Sequence, residues 1–152
     1  MNNILVTIDF DENTGLLVNQ GFEMGQKFEA KVWLLHIAAP EPDFIGYKIG
    51  PQYIRDSRAG ELRKEHKALQ ELADQLKAKG VDAEGLLIYG ATIDMIVEES
   101  GKLKCDLVIV GYHEHGLLYR AFNANKTFEI IKKSKVPVMI IPLDQGRVID
   151  NV

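Results

Sequence analysis

Three polar side chains that could do chemistry, His113, Glu114 and His115, lie in the segment Gly111–Thr127, GYHEHGLLYRAFNANKT, which follows an apolar stretch and precedes a helical one. Two histidines one residue apart can chelate a metal ion, and a helix that starts after a strand can bind phosphate through its unpaired N–H groups. Three interpretations are open: a metal site, a phosphate loop, or a loop that no longer binds a ligand.

The metal interpretation is short of ligands. A zinc site uses three or four protein ligands, and the other two histidines, His36 and His66, fall in an apolar stretch and in a helical one. We expect no metal site. We expect backbone groups to hold His36 at the end of a strand, and His66 to be partly buried beside the apolar side of its helix.

An anion site has better support from helix geometry. A helix starting near Asn125 would direct its N–H groups toward the loop, and Lys126 and His113 could add donors or positive charge. Glu114 opposes this role, since phosphate loops use glycine to let the backbone approach, and a carboxylate adds both bulk and negative charge.

Two further side chains could be functional or structural. Asp9 follows an apolar run, where it could accept hydrogen bonds from a ligand or form a turn before a helix capped by Asn13 or Thr14. The single cysteine, Cys105, allows no intrachain disulfide, which favours a reducing cytoplasm, and a small core side chain is its expected role. No Gly-x-Ser-x-Gly motif supports hydrolysis, so we expect no enzyme, with a weak ATPase left open as the alternative.

The composition excludes several classes of protein. Apolar residues make up 46% and charged residues 26% of the 152 residues, and the net charge is -4, as in ordinary globular domains. Positive charge is not clustered as nucleic-acid binding requires, and no apolar run reaches the about 20 residues that cross a bilayer. We expect one cytoplasmic domain over residues 1–152, with no nucleic-acid or membrane partner.

The elements that must position these side chains alternate along the chain. Apolar runs predict five buried strands: Ile4–Ile8, Val32–Ile37, Leu86–Tyr89, Leu107–Val110 and Val136–Leu143. Helical spacing predicts four helices between them, of which the second is Ser57–Lys79, ending at Gly80, the third Ile93–Lys102 and the fourth Asn125–Lys133. The residues expected to face inward are Leu17, Gly21, Met24 and Phe28 in the first helix and Leu62, Leu69, Leu72, Ala73 and Leu76 in the second. In the third helix they are Ile93, Ile96 and Val97, and in the fourth Phe128 and Ile131.

This alternation predicts an α/β fold, a three-layer doubly wound parallel sheet with helices on both faces. Ligands bind such sheets beyond the carboxyl ends of the strands, where Asp9, the loop after Ile37 and the segment from Gly111 would meet. The long connection Ala38–Asp56, with three prolines and three aromatic residues, could be a lid, a partner contact or an insertion packed over the sheet edge.

Five stretches in order and at matching spacing resemble the universal stress protein family: ILVTIDF, LLHIA, GATIDMIVEES, CDLVIVG and KVPVMIIPL. The resemblance covers nearly the whole chain. It implies an adenine-nucleotide α-hydrolase-like fold with five parallel strands in the order 3-2-1-4-5 and four helices. It also implies a homodimer paired through the last strand, Val136–Leu143, an apolar sheet edge that needs a partner or a cover.

The resemblance also implies where a nucleotide would bind. Family members that bind ATP carry Gly-x2-Gly-x9-Gly-Ser/Thr after the fourth strand, and from Gly111 this chain places Glu114, Ala124 and Asn125 at the other three motif positions. Asp9, Ile37, Val110 and Gly111 match the adenine and ribose side, while His113, Ala124, Asn125 and Lys126 would have to contact the phosphates.

Two functions follow from these residues as expectations. The first is a dimeric stress-response protein that does not bind ATP tightly, has no cofactor, and acts through contacts with unknown protein partners. The alternative is a regulatory module that binds AMP or ATP with a modified phosphate loop.

Overall fold

The fold is described from a computed structural model, which covers residues 1–38, 52–112 and 124–143, with the backbone alone for 52–58 and 124–127. Strands and helices alternate from the first element to the last. The elements are β1 (Asn3–Thr7), α1 (Thr14–Phe28), β2 (Lys31–Ala38), α2 (Gln52–Ala78), β3 (Ala83–Tyr89), α3 (Thr92–Lys102), β4 (Leu107–Tyr112), α4 (Ala124–Lys133) and β5 (Val138–Pro142).

The strands form one parallel sheet in the order β3-β2-β1-β4-β5. The β1 strand lies in the centre, where Val6 pairs with Leu34 of β2 and with Ile109 of β4. Chain order reverses at β1, so the carboxyl ends of β1, β2 and β4 frame the crevice in which this kind of sheet takes ligands. The predicted fold class and strand order are confirmed.

The sheet separates two apolar cores, because alternate side chains of each strand point to opposite faces. Ile4, Val6, Leu34 and Ile109 face the core that α1 and α2 cover. The opposite core lies under α3 and α4, and it contains Leu5, Leu35, Ile37, Ile93, Ile96, Val108, Val110 and Ile130. Since β1, β2 and β4 are covered on both faces, they read as unbroken apolar runs.

Close helix–sheet packing depends on glycine where α2 crosses β3. A Cβ at Gly85 would lie 2.9 Å from Leu69 Cβ and 3.1 Å from the Leu69 carbonyl carbon and oxygen. The α2 helix ends as predicted at Gly80, whose φ of +91° is left-handed and whose N–H bonds Lys77 O at 2.9 Å. Gly85 lies inside β3, which begins at Ala83, three residues before the predicted Leu86.

The predicted inward face of α4 is wrong. Phe128 is 64% exposed and Ile131 53% exposed, whereas Ile130 between them is completely buried. The α4 helix contacts α3, and Ile130 joins the core cluster that also contains Ile96 and Val110. Phe28, at the end of α1, is likewise 47% exposed and does not continue the buried side of that helix.

The start of α1 also differs from the prediction. Asn13 occupies the N-cap position, but its side chain makes no capping hydrogen bond. Instead Asp11 Oδ1 accepts a hydrogen bond from the Asn13 N–H at 2.8 Å, and the Asp11 carbonyl accepts one from the Thr14 N–H at 3.1 Å. The turn Asp11–Thr14 therefore starts the helix through an aspartate two residues earlier than the predicted cap.

Candidate functional site: a cleft at the carboxyl ends of strands β1 and β2

A cleft opens where β1 and β2 end, on the face covered by α3. Its empty volume is about 260 Å³, part of which is open solvent. The described residues that line it are Thr7, Ile8, Asp9, Leu35, Ile37, Thr92 and Ile96. The structure thus brings Asp9 and Ile37 together at one small cleft, at the edge of the sheet where the sequence placed them.

Hydrogen bonds of the strand ends fix the walls of the cleft. The Ile8 N–H donates to Leu35 O at 2.8 Å, which keeps β1 beside β2 up to the point where Asp9 leaves the sheet. The Thr7 hydroxyl donates to Ile109 O at 3.3 Å and ties the same end of β1 to β4. The carboxyl ends of three strands are therefore held in register around the cleft.

The N-terminus of α3 forms the opposite side of the cleft. Gly90 turns the chain out of β3 with a φ of +152°, and its N–H contacts Ala38 O at 3.4 Å. The helix then begins at Thr92, and the preceding Ala91 provides no side-chain cap. Thr92 was missed as a candidate site residue. The signal for it was the position of the Thr92 hydroxyl at the start of a helix after a glycine turn, and no motif singled that position out.

Val110 and Gly111 lie at the end of β4 and are both buried. Val110 belongs to the same apolar cluster as Ile37, and none of its side chain is exposed. Gly111 faces the opposite core, where an added Cβ would overlap Leu143 and would lie 3.4 Å from Leu17 Cδ1. Packing against Leu143 is thus a sufficient physical reason for glycine at position 111, with or without a phosphate.

The predicted phosphate side is described only from its helix. Ala124 is the first residue of α4, so Ala124, Asn125 and Lys126 form its first turn. Unpaired N–H groups of that turn can attract an anion. Ala124 lies in a helix, where the backbone needs no glycine. His113, Glu114 and His115 lie outside the described residues, as do residues 39–51 of the connection Ala38–Asp56; Ala38 ends β2, and residues 52–56 lie in α2.

The histidines of the second strand and second helix have different environments. His36 is completely buried, and its Nδ1 donates to Ile8 O at 2.6 Å, as expected for a histidine held by the backbone. Its Nε2 lies 2.7 Å from Glu65 Oε2 of α2, a partner that was not predicted. The expectation for His66 is wrong, because His66 is exposed. In α2 it is Glu65, three residues after Leu62 and four before Leu69, that continues the inward side.

Cys105 is a buried core residue as predicted, with 5% of its surface exposed. Burial, followed by the negative charges of Asp106 and Glu99, raises the pKa of its thiol from 9.0 to about 11. A thiol that keeps its proton at neutral pH is a poor nucleophile. Within residues 1–38, 52–112 and 124–143, histidine, cysteine and acidic side chains form no group of three that could hold a metal ion.

The comparisons with known proteins identify the family. The sequence profile of the Universal stress protein family matches residues 1–142. The chain belongs to the universal stress protein family. Its similarity to the universal stress protein of Helicobacter pylori (strain ATCC 700392 / 26695) is 28% identity over 112 residues, 74% of this chain and 78% of that protein.

Solved structures of universal stress proteins share the fold. The universal stress protein UspA from Lactobacillus plantarum superimposes with a TM-score of 0.72 at 14% identity, over 92% of this chain and 97% of that one. An Arabidopsis thaliana family protein with AMP bound gives a TM-score of 0.61 at 18% identity, over 99% and 97% of the two chains. At these identities the likeness shows the fold alone.

No helix among the described residues is both long enough and apolar enough to span a membrane. The longest of them, α2, has 27 residues, but charged side chains cover its outer side. Lys64, Lys67 and Glu71 are exposed there. The inner side of α2 packs against β2 and β3 of the sheet.

Proposed function

We propose that this universal stress protein is a cytoplasmic homodimer that does not hold ATP tightly and acts through contacts with other proteins. The observation that carries the proposal is the replacement of three of the four residues of the ATP motif. Gly111 is followed by Glu114, Ala124 and Asn125 at the spacing where ATP-binding relatives have two further glycines and a serine or threonine. The spacing is retained and the phosphate contacts are changed.

Glu114 is the replacement with the largest effect. Two unit charges 4 Å apart interact by about 4 kcal/mol at an effective dielectric constant of about 20. A carboxylate at that distance from a phosphate would weaken binding by roughly a thousandfold. Ala124 is a milder change, since a residue in the first turn of α4 has no need of a left-handed backbone. Asn125 keeps a side-chain amide in place of the hydroxyl.

A second candidate function is the binding of a nucleoside monophosphate such as AMP. It is favoured by the cleft beside Asp9, Ile37 and Thr92, which offers a carboxylate, an apolar side chain and a hydroxyl to a purine nucleoside. The structure of the Arabidopsis relative holds AMP. In this chain Asp9 and Ile37 would hold the adenine and ribose, with Val110 and Gly111 beneath, and the first turn of α4 with His113 would meet one phosphate.

Calorimetric titration with ATP and with AMP separates the two candidates. We expect no heat of ATP binding in the wild type up to millimolar ligand, and a gain of affinity in Glu114→Gln, which removes the charge, and in Glu114→Gly, which also removes the bulk. Glu71→Gln removes one charge from the exposed side of α2 and should change nothing. Micromolar ATP binding by the wild type would refute the proposal. If AMP alone binds, the second candidate is correct; if neither Glu114 variant gains affinity, Glu114 is not the obstacle.

Dimerisation is proposed from the position of β5. It lies at the edge of the sheet, and each of its first four side chains is only partly buried in the single chain. An apolar strand edge of this kind pairs readily with a second copy. Sedimentation equilibrium should give twice the 17.1 kDa of the chain. Ile140→Lys in the strand should give a monomer, whereas Phe28→Lys, at an exposed apolar site on α1, should stay dimeric; circular dichroism would verify that both fold.

We propose no enzymatic activity for this chain. A phosphate-release assay with ATP at several protein concentrations tests for hydrolysis. Release that rises in proportion to the protein and disappears in Asp9→Ala would contradict this proposal. Release that persists unchanged in that variant would point to a contaminating hydrolase.

A further inference from the structure

A buried histidine and a carboxylate join three elements next to the cleft. His36 of β2 has no exposed surface, and its side chain points to the face covered by α2, opposite to Leu35 and Ile37. Its Nδ1 is 2.6 Å from Ile8 O, and its Nε2 is 2.7 Å from Glu65 Oε2. The Phe10 ring packs against the imidazole with its centroid 4.8 Å away. We propose that His36 and Glu65 form a proton-dependent clasp that holds α2 against the carboxyl ends of β1 and β2 and loosens as the pH rises.

The proton follows from the two short contacts. A carbonyl oxygen can only accept, so Nδ1 of His36 carries a hydrogen. An ionised Glu65 also only accepts, so a neutral ring would place the bare lone pair of Nε2 2.7 Å from a carboxylate oxygen, whereas a second hydrogen on the ring makes the contact an ion pair. The pair then holds one proton more than a neutral histidine beside an ionised glutamate. The contact between Nε2 and Oε2 does not have the geometry of a hydrogen bond, and both atoms are shielded from water, so the charge of the imidazolium is what favours it.

The charged groups on the elements packed against His36 are mainly acidic. In the turn after β1, Asp9 and Asp11 flank Phe10, and on α2 the exposed Glu61 precedes Glu65 by one turn; each of these three has a further interaction of its own. Lys64, the neighbouring cation of α2, is exposed. On β3 the residue paired with His36 is the apolar Leu87. The carboxylate that contacts the ring directly is that of Glu65, and its negative charge stabilises an imidazolium.

Loss of this proton would affect both α2 and the cleft. Without it two lone pairs would face each other at 2.7 Å in a buried place, which forces Glu65 away or admits water. Leu35 and Ile37 on either side of His36 line the cleft, and Asp9 follows the Ile8 carbonyl. The clasp thus links the position of α2 on the sheet to the ends of the strands that line the cleft. It depends on no bound nucleotide.

The pH dependence of the unfolding equilibrium gives the number of protons that the native pair holds, and NMR detects the proton on the His36 ring directly. In the unfolded chain a histidine loses its proton near pH ~6.5, while the native pair keeps it to higher pH. The contribution of the clasp is complete below that value and is lost as the pH rises. Between pH 7 and pH 8 the unfolding equilibrium constant of the wild type should therefore rise by up to about tenfold. Glu65→Gln can donate its amide to a neutral ring, and should lack this rise.

His66 supplies the matched control, being an exposed histidine adjacent to Glu65. His66→Gln should keep the full pH dependence of the wild type. In long-range ¹⁵N–¹H spectra of the wild type, the His36 ring should show no transition near pH ~6.5. A His36 ring that is neutral at pH 7 with ordinary titration, or a Glu65→Gln variant with the wild-type slope, would refute the clasp. If Glu65→Gln does not fold, the His36 spectrum decides alone.

Discussion

Addition of one methyl group at Gly85 is expected to separate α2 from the sheet. In Gly85→Ala the new Cβ would meet Leu69 Cβ at 2.9 Å and the backbone carbon and oxygen of Leu69 at 3.1 Å, where ordinary van der Waals contact begins at 3.4 Å. The backbone atoms belong to a helix and cannot rotate away. The strain must be relieved by lifting α2, which also carries the buried Ala73 and Leu76.

The expected size follows from other overpacked cores. Extra carbon atoms in a tightly packed site cost about 1–3 kcal/mol. For a domain of about 150 residues each kcal/mol lowers the melting temperature by roughly 2–4 °C. The melting temperature of Gly85→Ala should therefore fall by about 2–12 °C, with a parallel loss in urea unfolding.

The single tryptophan, Trp33 on β2, provides the fluorescence signal for both measurements. Gly101→Ala is the matched control, since nothing lies within 4 Å of a Cβ added there on α3. Alanine should stabilise that helix by about 0.5–1 kcal/mol. A Gly85→Ala variant as stable as the wild type would show that α2 does not approach β3 as closely as described, and would refute the packing explanation.

Four further variants test the described core. Ile130→Ala, at a completely buried side chain, should lower the free energy of urea unfolding by about 2–5 kcal/mol. Ile131→Ala, at a side chain that is 53% exposed, should change it by under about 1 kcal/mol. Equal effects of the two variants would show that α4 faces the core differently. Leu143→Ala should also cost about 2–5 kcal/mol, because Leu143 fills the space beside Gly111; an unchanged melting temperature would contradict this packing. The pKa of Cys105, raised by burial to about 11 in the folded chain, lies above its unfolded value, so stability that is complete below pH ~9 should be lost as the pH rises through 11. Cys105→Ala should lack that loss between pH 9 and 11, and a thiol that reacts rapidly with a disulfide reagent at pH 8 would contradict its burial.

The fold was predictable because its signals are periodic and local. Unbroken apolar runs marked β1, β2 and β4, and glycine marked the end of α2 at Gly80. The face of α4 was not predictable in the same way. Apolar residues at 128, 130 and 131 spread over about 160° around a helix, and only the sheet edge decides that Ile130 is the buried one.

The candidate site was predictable where it depends on topology. Asp9 and Ile37 meet at one cleft because parallel strands end at a common edge. Thr92 and Glu65 could not be found from motifs. The role of Thr92 depends on where α3 begins relative to β2, and the role of Glu65 depends on the position of α2 along the sheet. Glu65 did leave one signal: a carboxylate on the apolar side of a helix needs a partner, and His36 is that partner.

Native mass spectrometry of the freshly purified protein tests the central proposal most directly. A universal stress protein whose phosphate contacts are replaced at Glu114, Ala124 and Asn125 should give only the mass of the polypeptide, as a dimer under gentle conditions. A stoichiometric mass addition corresponding to ATP would contradict that proposal, and one corresponding to AMP would establish the nucleoside monophosphate function in its place.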